Sequence, residues 1–201
     1  MNIPKNIFNK IYNLFWLHFK HVVYGKKLRI EGRILLQGRG KIEIGENVTI
    51  YSHYAINPIG GDRTVFQVMN GAALKIGNHV AMSHAIISAH NTVIIEDEVM
   101  LGAGCKIFDT DFHSLDYVER VHGQDQDVNT APVIIKKGAF IGTQAMILKG
   151  VIIGEKSIVG AGAVVTKNIP DGEVSAYTIC TEIFSHGLLF ASLLYLFAGR
   201  C

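Results

Sequence analysis

Between Ile135 and Val165 an aliphatic residue returns at every sixth position: Ile135, Ile141, Ile147, Ile153, Val159 and Val165. The same step links Ile95, Leu101 and Ile107, then Ile76 and Met82, then Ile44, Ile50 and Ile56. An amphipathic helix repeats at about 3.6 residues and a half-buried strand at about 2, so neither accounts for this period. A hexapeptide period specifies a parallel β-helix, in which each unit makes one short strand and one turn. Three units close a triangular coil, so residues about 18 apart stack, and the aliphatic positions form ladders along the axis. Glycine often follows the aliphatic residue, as at Gly45, Gly77, Gly102, Gly142, Gly154 and Gly160, where the chain turns a corner. Four positions after it comes a residue small enough for the narrowing coil: Val48, Val80, Val99, Cys105, Ala139, Ala145, Val151, Ser157 or Ala163.

The beat is lost between Phe108 and Pro132. There DTDFHSLD leads into YVERVHGQDQDVNTAP, a polar run that leaves the solenoid as a surface loop. Loops on rigid scaffolds are where function concentrates, and His113 stands at the root of this one. The domain expectation is a helical segment at 1–27, a β-helix at 28–173 with its loop at 114–132, and an apolar tail at 174–201.

Both flanks are unusual. Residues 4–24 set Ile7, Ile11, Leu14, Phe15, Leu17 and Phe19 among lysines, an amphipathic helical pattern. Packing of that face against the rest of the protein is expected, with contact to a membrane surface as the other reading. The tail IFSHGLLFASLLYLFA, from Ile183 to Ala198, is shorter than the roughly 20 residues of a spanning helix and contains His186. A peripheral anchor, a helix docked on a partner subunit and an altered reading frame are all open for it.

A net charge of +2 says little about partners, and no Lys/Arg run marks a nucleic-acid face, so no nucleic-acid partner is expected. Three widely spaced cysteines, Cys105, Cys180 and Cys201, fit a reducing compartment better than a disulfide framework. The N-terminus has no signal-peptide cleavage pattern, which gives the cytoplasm, peripheral to the inner membrane face if the flanks touch lipid, as the expected location.

In DTDFHSLD, APVIIKKGAFIGTQAMILKGVIIG and VGAGAVVTKNIPDGEV the chain resembles the hexapeptide-repeat acyltransferases, in the branch of galactoside, maltose and polysaccharide O-acetyltransferases. The resemblance runs from Ile44 to Glu173. It implies an all-β fold, a left-handed parallel β-helix, which departs from the usual right-handed crossover. It also implies acetyl-CoA as cosubstrate, a sugar hydroxyl as acceptor and a homotrimer whose active sites lie between subunits.

Residue by residue, the resemblance makes His113 the general base that takes the acceptor's proton as its oxygen attacks the thioester. An imidazole suits that task because its ordinary pKa, about 6.5, keeps a neutral base at hand near pH 7. Asp109 and Asp111 are expected to orient the ring or hold sugar hydroxyls, and Ser83 and His84 to meet the acceptor or the acetyl group. Thr143 and Ala161 would line the pantetheine arm, and Thr166 and Lys167 the phosphate-bearing adenosine end. Phe140 stands where many relatives carry Trp, keeping an aromatic face without the indole donor. The segment that closes the adenine site in relatives is replaced here by SAYTICTEIFSHGLLF.

Other chemistries are weaker. His79, His84 and His90 raise the zinc enzymes of this fold, but those need an imidazole from a neighbouring coil, and His53 lies at a poor offset, so no metal is expected. Cys105 fills a small inward position, which makes it structural rather than nucleophilic. Acetylation of serine or a xenobiotic, and a noncatalytic or degenerate trimeric scaffold, are the alternatives.

Overall fold

The computed structural model describes residues 5–53, 55–123 and 128–176. Helix α1 (Lys5–Phe19) is followed by six coils of three strands each, all parallel to their stacked neighbours. The first coil is β1 (Val23–Tyr24), β2 (Arg29–Gly32) and β3 (Leu35–Gly38). The second is β4 (Lys41–Ile44), β5 (Thr49–Ser52) and β6 (Val65–Val68), and the third is β7 (Ala73–Ile76), β8 (Ala81–Ser83) and β9 (Ile86–Ala89). The fourth, β10 (Thr92–Ile95), β11 (Met100–Leu101) and β12 (Lys106–Phe108), ends in the excursion that holds α2 (Tyr117–His122). The fifth is β13 (Val133–Ile135), β14 (Phe140–Ile141) and β15 (Met146–Ile147). The sixth is β16 (Ile152–Ile153), β17 (Ile158–Val159) and β18 (Val164–Val165), after which β19 (Val174–Ser175) adds to β17.

The three faces of the prism are three parallel sheets: face A from β1 to β16, face B from β2 to β19, and face C from β3 to β18. The hexad ladder is their interior. Ile135, Ile141, Ile147, Ile153 and Val159 have no solvent exposure and Val165 only 6%. All nine residues expected where the coil narrows are buried as well. Each such aliphatic side chain stabilises the fold by about 1.5–3 kcal/mol relative to exposure, and the backbone N–H and C=O groups are satisfied from coil to coil. Glycine at the corner answers to close approach: a Cβ on Gly142 would stand 2.5 Å from the amide nitrogen of Ala161 in the next coil.

The expected beat through Ile44, Ile50 and Ile56 fails at its last member. Ile44 and Ile50 are core residues, whereas Ile56 is 47% exposed. The chain leaves the prism after Ser52 and re-enters at Thr64, and Ser52 braces both ends: its hydroxyl donates to the carbonyl of Arg33 at 2.6 Å and accepts from the Thr64 amide at 2.8 Å. Ile56 falls in step by coincidence, on an excursion at the B–C edge. The larger excursion leaves at the next edge, between faces C and A.

Helix α1 inverts the packing expected for it. Its polar side faces the first coil: Asn13 Nδ2 donates to the carbonyl of Gly32 at 2.8 Å, its Oδ1 accepts from the Ile34 amide at 3.2 Å, and Lys20 Nζ donates to the carbonyl of Gly38 at 2.8 Å. Of its predicted apolar positions only Leu17 enters the core; Ile7, Ile11, Leu14, Phe15 and Phe19 point outward. The expected tail at Ile183–Ala198 lies outside the described residues. No described helix is long and apolar enough to cross a membrane.

Candidate active site

The excursion at the C–A edge is anchored before it rises. Asp109 follows β12 with no solvent exposure, and its carboxylate accepts from the His90 amide at 2.7 Å and the Asn91 amide at 2.8 Å, one coil below. Its carbonyl accepts from Ala131 on the returning limb at 3.0 Å, and Thr110 bridges Thr130 in antiparallel fashion. Each carboxylate oxygen of Asp109, expected to orient the His113 ring or hold sugar hydroxyls, accepts an amide of the coil below and so helps hold two coils together. Charge-assisted bonds to two partly buried amides suit a carboxylate better than any neutral side chain of its size.

The chain then reverses. Phe112 adopts φ +64°, and its amide donates to Thr110 Oγ1 at 3.0 Å. The Phe112 ring packs edge-on against Phe108 at 5.0 Å and His90 at 5.7 Å between centroids. His113 comes next, on the exposed side, while Ser114 is buried at 3%. Arg120 donates to the carbonyl of Ser114 at 2.8 Å, and Ser114 Oγ accepts from the Asp116 amide at 3.1 Å. The imidazole is exposed, on a backbone braced from both sides.

Helix α2 was not anticipated in this polar run. Asp116 caps it, accepting from the amides of Val118 at 2.7 Å and Glu119 at 3.1 Å, and Gly123 ends it with φ +65°. The signal is present in the sequence as Asp116 followed by Glu119, an N-terminal signature with an acid in the first turn. Asp111 pairs with Lys149 of the following coil at 3.0 Å, a partner that only coil stacking reveals.

Ser83 and His84 are at a different edge, B–C, beneath the smaller excursion. His84 has no solvent exposure and a φ of +51°; its Nδ1 lies 3.0 Å from Ser83 Oγ, which also accepts from Asn57 Nδ2 at 3.0 Å. Gly60 packs so closely that a Cβ there would stand 2.7 Å from the imidazole. Burial pushes the pKa of His84 below the ordinary imidazole value, with the His53 carbonyl and the charge of Asp62 only partly offsetting it. Within one chain this buried pair does not share an edge with His113.

The expected donor-binding residues divide in the same way. Thr143, half-buried, and Ala161, exposed, stack at the B–C edge, where the carbonyl of Thr143 accepts from the Gly162 amide at 2.8 Å. Thr166 and Lys167 are exposed at the C–A edge, two coils beyond the His113 excursion. Phe140, 40% exposed, sits on the outer surface of face B in register with Met100 and Ile158. The outer surface of face C separates the two edges.

Two other chemistries meet the geometry. His79, His84 and His90 occupy the A–B, B–C and C–A edges respectively, so no two of them share a corner. Among the described residues no three His, Cys, Asp or Glu side chains cluster as a metal site. Cys105 is enclosed, and burial pushes its thiol up to about 12, which leaves essentially no thiolate near pH 7.

Residues 132–167 match the family described as bacterial transferase hexapeptide (six repeats). No curated protein matches the chain. AntD, an N-acyltransferase from Bacillus cereus, solved as a variant with dTDP and coenzyme A, is 18% identical over 86% of this chain and 84% of its own, with a TM-score of 0.57. Another AntD variant, solved with dTDP-4-amino-4,6-dideoxyglucose and coenzyme A, is 18% identical over 87% of this chain and 86% of its own, with a TM-score of 0.52. A hexapeptide-repeat acetyltransferase from Vibrio cholerae O1 biovar eltor, complexed with acetyl coenzyme A, is 20% identical over 70% of this chain, with a TM-score of 0.47; the present chain spans 64% of its length. The matched repeats and the shared fold together make this chain a hexapeptide-repeat parallel β-helix protein, with the architecture of the bacterial acyltransferases.

Proposed function

We propose that this chain is an acetyl-CoA-dependent O-acetyltransferase acting on a saccharide hydroxyl, with His113 as general base. The observation that carries the reading is an exposed imidazole raised on a braced excursion from a rigid hexapeptide prism. The acceptor oxygen attacks the thioester carbonyl carbon while His113 takes its proton; the C–S bond then breaks, and the sulfur of CoA leaves and is protonated. Positioned proton transfer of this kind accelerates a reaction by about 10²- to 10⁴-fold. Thr143 and Ala161 would follow the pantetheine arm, and Lys167 would meet phosphate charge.

The division of these residues between two edges supports assembly as a homotrimer, because edges kept apart by face C in one chain meet when prisms pack side by side. Light scattering is expected to give a trimer; a stable monomer with full activity would overturn that arrangement.

The test of the activity is release of CoA thiol from acetyl-CoA with a panel of sugars, for the natural chain and for His113→Ala. The panel includes amino sugars, since AntD has been solved with one. A rate unchanged by the substitution would refute the base assignment. Absence of CoA binding by calorimetry would favour the scaffold alternative.

A further inference from the structure

Helix α1 presents most of its apolar residues to the outside, while Leu17 and Trp16 pack on the core. Ile7, Phe8, Ile11, Leu14, Phe15 and Phe19 are each between 44% and 60% exposed and recur at the spacing of one helical face. Scattered exposed hydrophobes are ordinary on a protein surface, but six in one stripe are not. The stripe is not left over from poor packing, because the opposite side is committed to the prism through Asn13, Leu17 and Lys20 and through Arg33, whose Nε donates to Asn9 Oδ1 at 2.8 Å.

Charge identifies the occupant. The first 40 residues hold eight Lys and Arg against one carboxylate, Glu31, and Arg29 pairs with that one at 2.8 Å. The remaining 161 residues hold eleven basic and sixteen acidic side chains, so the overall +2 hides a strongly basic end on an acidic body. Lys10, Lys26, Lys27 and Arg39 of that end are exposed. A second copy seated on the stripe would bring two basic ends together, which the field opposes. An anionic lipid surface satisfies both features: acyl chains take Phe8, Leu14 and Phe15, and headgroup charge meets the lysines.

We propose that α1 docks the basic end of the prism on an anionic membrane surface, with the solenoid axis leading away from it. This inference is independent of the acyl-transfer reading. The experiment uses the full chain and vesicles of phosphatidylcholine with or without phosphatidylglycerol. Trp16 is the single tryptophan and lies in α1, so quenching of its fluorescence by brominated acyl chains reports on this helix and not on the apolar tail.

Co-sedimentation with the phosphatidylglycerol vesicles and quenching of Trp16 are expected, with much weaker binding to phosphatidylcholine alone and at high salt. Phe8→Ser, Leu14→Ser and Phe15→Ser together, all at exposed positions, are expected to weaken binding by about tenfold or more. Three outcomes would overturn the proposal: no binding by the full chain, unchanged binding by the triple variant, or equal binding to uncharged vesicles. A triple variant that lowers the oligomeric state without changing vesicle binding would instead assign the stripe to a second copy.

Discussion

The two excursions from the prism do opposite things with a histidine. The smaller, between Ser52 and Thr64, folds down over the B–C edge and encloses His84 completely. The larger, between Phe108 and Pro132, stands up from the C–A edge and leaves His113 exposed. Both leave the same rigid prism, the smaller from the second coil and the larger from the fourth, so the difference lies in what each insertion binds. Asn57 and Gly60 of the first reach back onto Ser83 and His84. Among the described residues, the second bonds largely to itself through Thr110, Ser114, Asp116 and helix α2, and meets the coils near its root, through Asp109 below and the Asp111–Lys149 pair above. An insertion that bonds to the scaffold becomes part of the core; one that bonds to itself becomes a platform.

The comparison is broken most directly at the exposed histidine. His113→Ala is expected to lower acetyl transfer by about 10²- to 10⁴-fold while leaving the denaturation midpoint nearly unchanged. Rate assays and urea titration on the same preparation check both halves.

The root of the platform comes next. Asp109→Ala leaves the partly buried amides of His90 and Asn91 without their acceptor, and a loss of about 1–3 kcal/mol of stability is expected in urea unfolding. Asp109→Asn, which retains one acceptor oxygen, is expected to lose less.

The enclosed histidine gives a smaller effect that depends on pH. In the unfolded chain an imidazole takes up its proton near pH 6.5, whereas burial holds the pKa of His84 lower in the fold. Between those values the unfolded chain binds more protons, so stability is fully present above about pH 6.5 and falls on acidification, by at most about 1.4 kcal/mol per pH unit. His84→Asn, which tolerates the positive φ, is expected to flatten that part of the pH profile. An unaltered slope would assign the acid sensitivity to another group.

Lys149→Met is the mildest test. It removes a partly buried pair with Asp111, and about 1 kcal/mol or less is expected by thermal denaturation, at the upper end of the range of surface ion pairs.

Much of the prism was legible because its period is local. Ile135 through Val165 announce interior positions every six residues, and the fifth-position residues from Val48 to Ala163 announce the narrow corners; each is satisfied by the coil immediately above and below. Where the period and the hydrogen bonding disagree, the period misleads. Ile56 keeps step yet is exposed, since Ser52 and Thr64 have already closed the coil without it. Helix α1 misleads for a different reason. Its amphipathic pattern was readable, but amphipathicity does not say which side faces the protein, and Asn13 finds the open backbone of Gly32 and Ile34.

By itself, the sequence determined a solenoid, the place where its beat stops and a histidine at that place, because a six-residue period and its interruption are properties of neighbours along the chain. Only the tertiary structure decided that Asp109 is an internal brace, that His84 is sealed while His113 is exposed, and that Asp111 meets Lys149. Those outcomes depend on which side chains the coils bring into register across 18 to 41 residues of chain, and burial and hydrogen-bond satisfaction at those stacked contacts are settled in space.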